Sequence, residues 1–135
     1  MDNEKLISAA AKAAKELSYS PYSQIRVGAA AMLESGEIVT GANVENSSYP
    51  VGVCAEQSLL CTLNNLFNGI KINSFAVVAF KKGEIFEISP CGKCRQALLE
   101  KELEQQSAIE ILFYYKGKII ATKSASELLP YAFSL

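Results

Sequence analysis

Histidine is absent from all 135 residues, which removes the commonest imidazole metal ligand and acid–base group. Any hydrolytic or metal chemistry must therefore rest on sulfur and carboxylate. Long apolar runs are also missing. Stretches such as 75–80 are strand-sized, far short of the roughly 20 residues a membrane-spanning helix needs. Charge of one sign is lacking too: 13 basic and 14 acidic residues give a formal net charge of −1, and no basic run exceeds Lys81-Lys82. A nucleic-acid polymer normally demands a basic stripe for its phosphates, so such a partner is not expected, although a single nucleoside needs no stripe. The start of the chain, with Asp2, Glu4 and Lys5, has no basic-then-apolar signal pattern, and a cytoplasmic location is expected. Linkers and internal repeats are absent, and the length suits one domain over residues 1–135.

Four cysteines are present, and their arrangement carries the chemistry. In an intracellular chain they are more often metal ligands or core residues than disulfides. Cys54-Ala55-Glu56 precedes Ser89-Pro90-Cys91-Gly92-Lys93-Cys94 by a strand-sized interval. Three thiolates leave a tetrahedral zinc one position for water or substrate, whereas a closed structural site takes four protein ligands. Glu56 lies two residues from the first sulfur, close enough to act on whatever fills that position. Cys61 stands about 10 Å along a helix that begins at Cys54, too far to share the metal, and flanking Leu59, Leu60 and Leu63 suggest a small buried hydrophobe.

Leu6, Ala9, Ala10, Ala13, Ala14 and Leu17 recur at helical spacing and predict an amphipathic helix over 4–17. Strands are expected at 25–33 and 37–43 across Ser35-Gly36, a loop at 44–53, and a buried helix at 54–67 closed by Asn68-Gly69. A strand at 74–80, a helix at 91–105, strands at 109–116 and 118–123 around Gly117, and a short helix at 126–129 complete the pattern. The order α-β-β-α-β-α-β-β-α implies an α/β fold, a three-layer α-β-α sandwich with a mixed five-stranded sheet. Ser89 as N-cap and Pro90 at the first helical position would place Cys91 and Cys94 in a first turn. There the free N–H groups and the helix dipole favour negative sulfur.

The chain resembles the small homotetrameric zinc-dependent cytidine deaminases, a class of zinc deaminase built on this ligand pattern. The resemblance rests on Pro21-Tyr22-Ser23, Val27-Gly28-Ala29-Ala30, Gly41-Ala42-Asn43-Val44-Glu45-Asn46, Cys54-Ala55-Glu56, Ser89–Gln96 and Glu127-Leu128-Leu129-Pro130, in matching order and spacing. It implies one zinc per subunit on Cys54, Cys91 and Cys94, with Glu56 moving protons. It implies ribose contacts from Asn43 and Glu45 and base contacts from the backbone around Ala55 and Ser89. Tyr49 and Phe133 would line a pocket shared between subunits of a homotetramer. The expected reaction is hydrolytic deamination of cytidine and deoxycytidine in pyrimidine salvage.

The residues taken alone leave other readings open. Glu56 could simply favour a helix dipole, the cysteines could form a closed site with a fourth ligand, and Asn43 and Glu45 could be strand-end and turn residues. Tyr49 and Phe133 could be core anchors, and Arg95 a structural ion pair or subunit contact. Two positions depart from the family pattern. Ile25 replaces a common Phe and thins one wall of the base pocket, while Gln57 replaces a common Arg, offering the thiolates hydrogen bonds without charge. Blasticidin S deaminases also lack that Arg, so another cytosine nucleoside is an alternative substrate. A non-catalytic zinc interaction module is the alternative from a different class.

Overall fold

The computed structural model describes residues 2–135. Helix α1 (Asp2–Leu17) carries acidic Asp2 and Glu4 in its first turn and Lys15 in its last, in keeping with the helix dipole. It leads into strands β1 (Ile25–Leu33) and β2 (Ile38–Ala42), joined across Gly36 at φ +90°. Helix α2 (Ala55–Leu66), strand β3 (Ile72–Lys81), the two-residue strand β4 (Glu84–Ile85) and helix α3 (Gly92–Gln105) follow. Strands β5 (Glu110–Tyr115) and β6 (Lys118–Thr122) precede a 3-10 turn at Ala125–Leu128, where a short helix was expected.

The sheet runs β2-β1-β3-β5-β6, with β3 and β5 parallel and the other neighbours antiparallel. This is the expected five-stranded mixed sheet plus β4, which pairs with β3 through Phe80↔Ile85 and Lys81↔Glu84. The Lys82-Gly83 turn, with both residues at positive φ, has the same form as Lys116-Gly117. Its returning strand is too short and too exposed to show an apolar pattern.

Alternation along the strands divides the core into two layers. Ala30, Ala76, Val78 and Leu112 face α1, where they bury Leu6, Ile7, Ala10 and Ala14. Ala29, Ala31, Phe75, Val77, Ile111 and Phe113 face Leu59 and Leu63 of α2 and Leu98 of α3. Each fully buried leucine or phenylalanine contributes about 1.5–3 kcal/mol through burial. Small residues set the layer spacing. A Cβ on Gly28 would collide with the backbone of Ala10 and Ala14, and one on Gly41 would come within 2.9 Å of the Leu59 Cβ. The first contact seats α1 on the sheet, and the second seats α2, the helix that begins at Cys54.

Cys61 departs from expectation. It is exposed on the outer side of α2, beside a groove lined by Leu60, Asn64 and Ala97. The inward stripe of α2 is carried by Leu59 and Leu63, and Cys61 falls off it. Gly28→Ala should lose at least the roughly 1–3 kcal/mol typical of overpacking a core, seen as a lower urea midpoint. Gly92→Ala, with nothing within 4 Å of its added Cβ, should show no such loss.

Candidate active site

Helices α2 and α3 both begin on a cysteine. Cys54 is the N-cap of α2 (φ −70°, ψ 153°), and Cys91 is the N-cap of α3 (φ −68°, ψ 169°). The cap of α3 therefore lies two residues beyond Ser89, the expected position, and Gly92 rather than Pro90 opens the helix. Neither sulfur makes a capping hydrogen bond to its own helix. Cysteine is outside the preferred N-cap set, so sulfur occupies two places where the local backbone would favour Ser, Thr, Asp or Asn. Cys94, in the first turn of α3, is fully buried.

The sulfurs of Cys54, Cys91 and Cys94 lie within 4.8 Å of one another, with Cys91 and Cys94 3.6 Å apart. Hydrogen bonding from Cys94 lowers the Cys54 thiol to about 6 against the opposing effect of burial, helped by Cys91 and the charge of Lys93. Cys94 moves upward because its proton is held by Cys54 and because it is buried. Cys54 and Cys94 thus share a proton, with negative charge favoured on the Cys54 sulfur. A soft divalent cation fits this donor set, since zinc–sulfur bonds of about 2.3 Å bring sulfurs to such spacings. Gln57 points its amide at the cluster, Nε2 donating to the Cys94 sulfur at 3.7 Å.

Glu56, the second residue of α2, is only 4% exposed. Burial pushes its carboxyl up to about 7, with the charge of Cys54 adding to the effect, despite hydrogen bonds from its own N–H and from Cys94. A carboxyl so tuned gives and takes protons near neutral pH. It opens onto a cavity of about 370 Å³ lined also by Val27, Asn43, Glu45, Ala55, Ser89 and the three cysteines.

Two polar side chains that line this cavity are held by β1 and the loop before it. The Asn43 Oδ1 accepts from Ser18 Oγ and Val27 N, and its Nδ2 donates to the Ile25 carbonyl. The Glu45 carboxylate accepts from Tyr22 N, Ser23 N and Ser23 Oγ. Burial works upward on its pKa, but those hydrogen bonds outweigh it and hold the group below its ordinary value.

Ile25, Tyr49 and Phe133 are not among the residues around this cavity. Ile25 is half-buried at the head of β1. Tyr49 is 78% exposed and meets Tyr22 edge-on, 6.3 Å between ring centroids, in a neighbouring hollow that shares Glu45 and Gly52. Phe133 is 67% exposed, its carbonyl accepting from Gln96. Val27, Ile88 and Val53 line the cavity although sequence reasoning did not single them out as site residues. The position of Ile88 directly before Ser89-Pro90-Cys91 was an available signal. Arg95 makes no ion pair among the described residues. Its donors go to neutral oxygens: Pro90 O at 2.7 Å, Leu128 O at 3.0 Å and Ser89 Oγ at 2.9 Å.

A three-thiolate cluster with a buried carboxylate opening onto a cavity is the equipment of a zinc hydrolase. The chain belongs to the cytidine and deoxycytidylate deaminase family, whose zinc-binding-region model matches residues 1–108. It is similar to the cytidine deaminase of Sporosarcina psychrophila, 42% identical over 135 residues that cover 99% of this chain and 93% of that protein. The cytidine deaminase of Mycobacterium tuberculosis is 38% identical over 117 residues, 87% of this chain and 79% of that protein. Among solved structures, the Burkholderia pseudomallei cytidine deaminase superposes with a TM-score of 0.79 at 39% identity, covering 98% of this chain and all of that one (100%). The Mycobacterium tuberculosis enzyme gives 0.78 at 36%, covering 100% of this chain and 99% of that one. The three-layer fold is thus that of the cytidine deaminases, and the enzyme class is a zinc-dependent hydrolase.

Cys91→Ala should empty the site of zinc, whereas Cys61→Ala should retain it and shift stability by no more than about 0.5 kcal/mol, as expected at an exposed position. Metal content by atomic absorption separates the two, and equal zinc loss would reassign the ligands.

Proposed function

We propose that this protein is a cytidine deaminase that hydrolyses cytidine and deoxycytidine to uridine and deoxyuridine with release of ammonia, in pyrimidine salvage. The reading is carried by the buried Glu56 carboxylate beside three convergent sulfurs, in a cavity that also holds Asn43 and Glu45. Cys54, Cys91 and Cys94 would hold one zinc per subunit. Zinc there supplies Lewis acidity, lowering the pKa of a bound water from 15.7 toward roughly 7.

Glu56 accepts a proton from the attacking water and delivers it to ring nitrogen N3, which makes C4 electrophilic. The water oxygen bonds to C4. Glu56 then passes the second water proton to the amino nitrogen, and the C4–N bond breaks to release ammonia. Both water protons are accounted for, one on N3 of the product and one in ammonia. The backbone at Ala55 and Ser89 meets the base. Glu45, kept charged by its three donors, accepts from the ribose hydroxyls. Asn43 spends one of its two amide N–H bonds on Ile25 and has one left for the sugar. Gln57 supplies the Cys94 sulfur with a hydrogen bond in place of a charged partner.

The assembly proposed is a homotetramer with shared active sites. Support comes from the exposed aromatics beside the cavity and at the tail: Tyr22, Tyr49, Tyr131 and Phe133. A neighbouring subunit would bring Phe133 and Tyr49 against the base pocket. Among the described residues no helix is long and apolar enough to cross a membrane, and a cytoplasmic location over a single catalytic domain, residues 1–135, suits a salvage enzyme.

Loss of cytidine absorbance on incubation with zinc-loaded protein tests the activity, with deoxycytidine and blasticidin S run in parallel to fix the substrate. Glu56→Gln keeps size but cannot accept the proton. Because Glu56 performs several transfers, kcat should fall by more than the roughly 10²–10⁴ of a single acid–base step, with zinc and fold retained. Near-normal turnover in that variant would refute the mechanism. Removal of residues 132–135 should raise KM for cytidine while leaving zinc bound, and light scattering should report four subunits; a fully active monomer would overturn the shared site.

A further inference from the structure

Arg95 sits in the first turn of α3, where the positive end of the helix dipole disfavours a cation. Its donors nonetheless meet only neutral oxygens, those of Pro90, Leu128 and Ser89. A guanidinium is planar and can only donate, so these bonds fix the acceptors in one geometry. The shortest, Nε to the Pro90 carbonyl at 2.7 Å, fixes the plane of the Pro90–Cys91 peptide, because the peptide unit is rigid. Together with the Cys91 φ of −68°, that plane sets the direction in which the Cα–Cβ bond of Cys91 leaves the chain. The three sulfurs differ in how they are held. Cys94 is buried, Cys54 is half-buried at the start of a packed helix, and Cys91 is exposed. Packing therefore does least to aim Cys91, the sulfur whose peptide Arg95 grips.

We propose that Arg95 is a positioning residue that aims the Cys91 sulfur at the metal by locking the Pro90–Cys91 peptide, doing for the exposed ligand what burial does for Cys94. The inference rests on the three-cysteine zinc site of the reading above. It assigns Arg95 to metal retention through geometry carried by the Pro90 bond, its other donors going to Leu128 O and Ser89 Oγ. The 3-10 turn that supplies Leu128 O is itself tied to α3 by Glu102, which accepts from Ser124 Oγ and Ala125 N. Loosening that turn should reduce stability without freeing Pro90.

Zinc affinity by competition with a chromophoric chelator tests the proposal, alongside the sulfur-to-metal charge-transfer band of the cobalt-substituted protein. Arg95→Gln removes the fork, and Arg95→Lys keeps the stem and charge but loses the planar fork. Both should bind zinc roughly 10–100-fold more weakly, the usual consequence of losing an orienting partner of a metal ligand, and both should show a weakened cobalt–sulfur band. Ser124→Ala, which disturbs only the turn, should lower Tm and leave zinc affinity at the wild-type value. Wild-type zinc affinity in a folded Arg95→Lys or Arg95→Gln protein would overturn the inference, as would an equal loss in Ser124→Ala. Cys91→Ala separates this from the underlying reading: if that variant also binds zinc like wild type, the metal site itself is wrong. If it loses zinc while the Arg95 variants do not, only the role of Arg95 fails.

Discussion

Gathering three sulfurs within 4.8 Å of one another concentrates negative charge, and the surrounding architecture offsets it. Two helices end their dipoles on the cluster, with Cys54 and Cys91 standing at the N-caps themselves. An N-terminus stabilises a nearby anion by about 0.3–1 kcal/mol at an exposed site and more when partly buried. For both ends to meet, α2 and α3 must lie on the same face of the sheet and start close together. The close approach of α2 to β2 at Gly41 and the shared packing of Leu59, Leu63 and Leu98 over Phe75 and Val77 meet that requirement. The same burial that seats α2 pushes Glu56 into its proton-exchanging range, so core packing and acid–base tuning have one origin.

Much of this was legible in the sequence because it follows from periodicity and turn chemistry. The alanine-rich stripe of α1, the full extent of β1 and the three-layer α-β-α order needed no tertiary information. The unread pieces are those that tertiary context decides. Strand β4 is two exposed residues whose existence depends on the part of the β3 edge that β5 leaves free. The cap of α3 lies at Cys91 rather than Ser89, and Arg95 holds the preceding loop by donating to the Pro90 carbonyl and the Ser89 Oγ. Local preference for Ser at an N-cap loses to these two hydrogen bonds, which no local pattern reveals.

The site divides along the same line. Spacing alone brings out Cys91 and Cys94, since a three-residue step at a helix start places them on one side. Joining them to Cys54 and Glu56 required a motif pattern, and the structure brings all four to one cavity. Cys61 was misread as buried because three neighbouring leucines suggested a core stripe, whereas a helix turns by about 100° per residue and only Leu59 and Leu63 of the three are buried. Arg95 looked like an ion-pair partner because arginine usually finds a carboxylate, but here the oxygens within reach belong to the backbone and a serine. Tyr49 and Phe133, expected at the pocket, are largely exposed and lie outside the residues around the cavity.

The unequal separation of the sulfurs along the chain bears on how metal and folding are linked. Cys91 and Cys94 are neighbours in any conformation, folded or not, and a C-x-x-C pair in an unfolded chain still offers a metal two thiolates. Ligand binding stabilises a fold only to the extent that the unfolded chain binds more weakly. Cys54 is separated from the pair by α2, β3 and β4 and meets it only in the folded chain. The remote thiolate, rather than the adjacent pair, thus determines how strongly a bound metal favours the native state, and the free energy of its ligation is the part that belongs to folding.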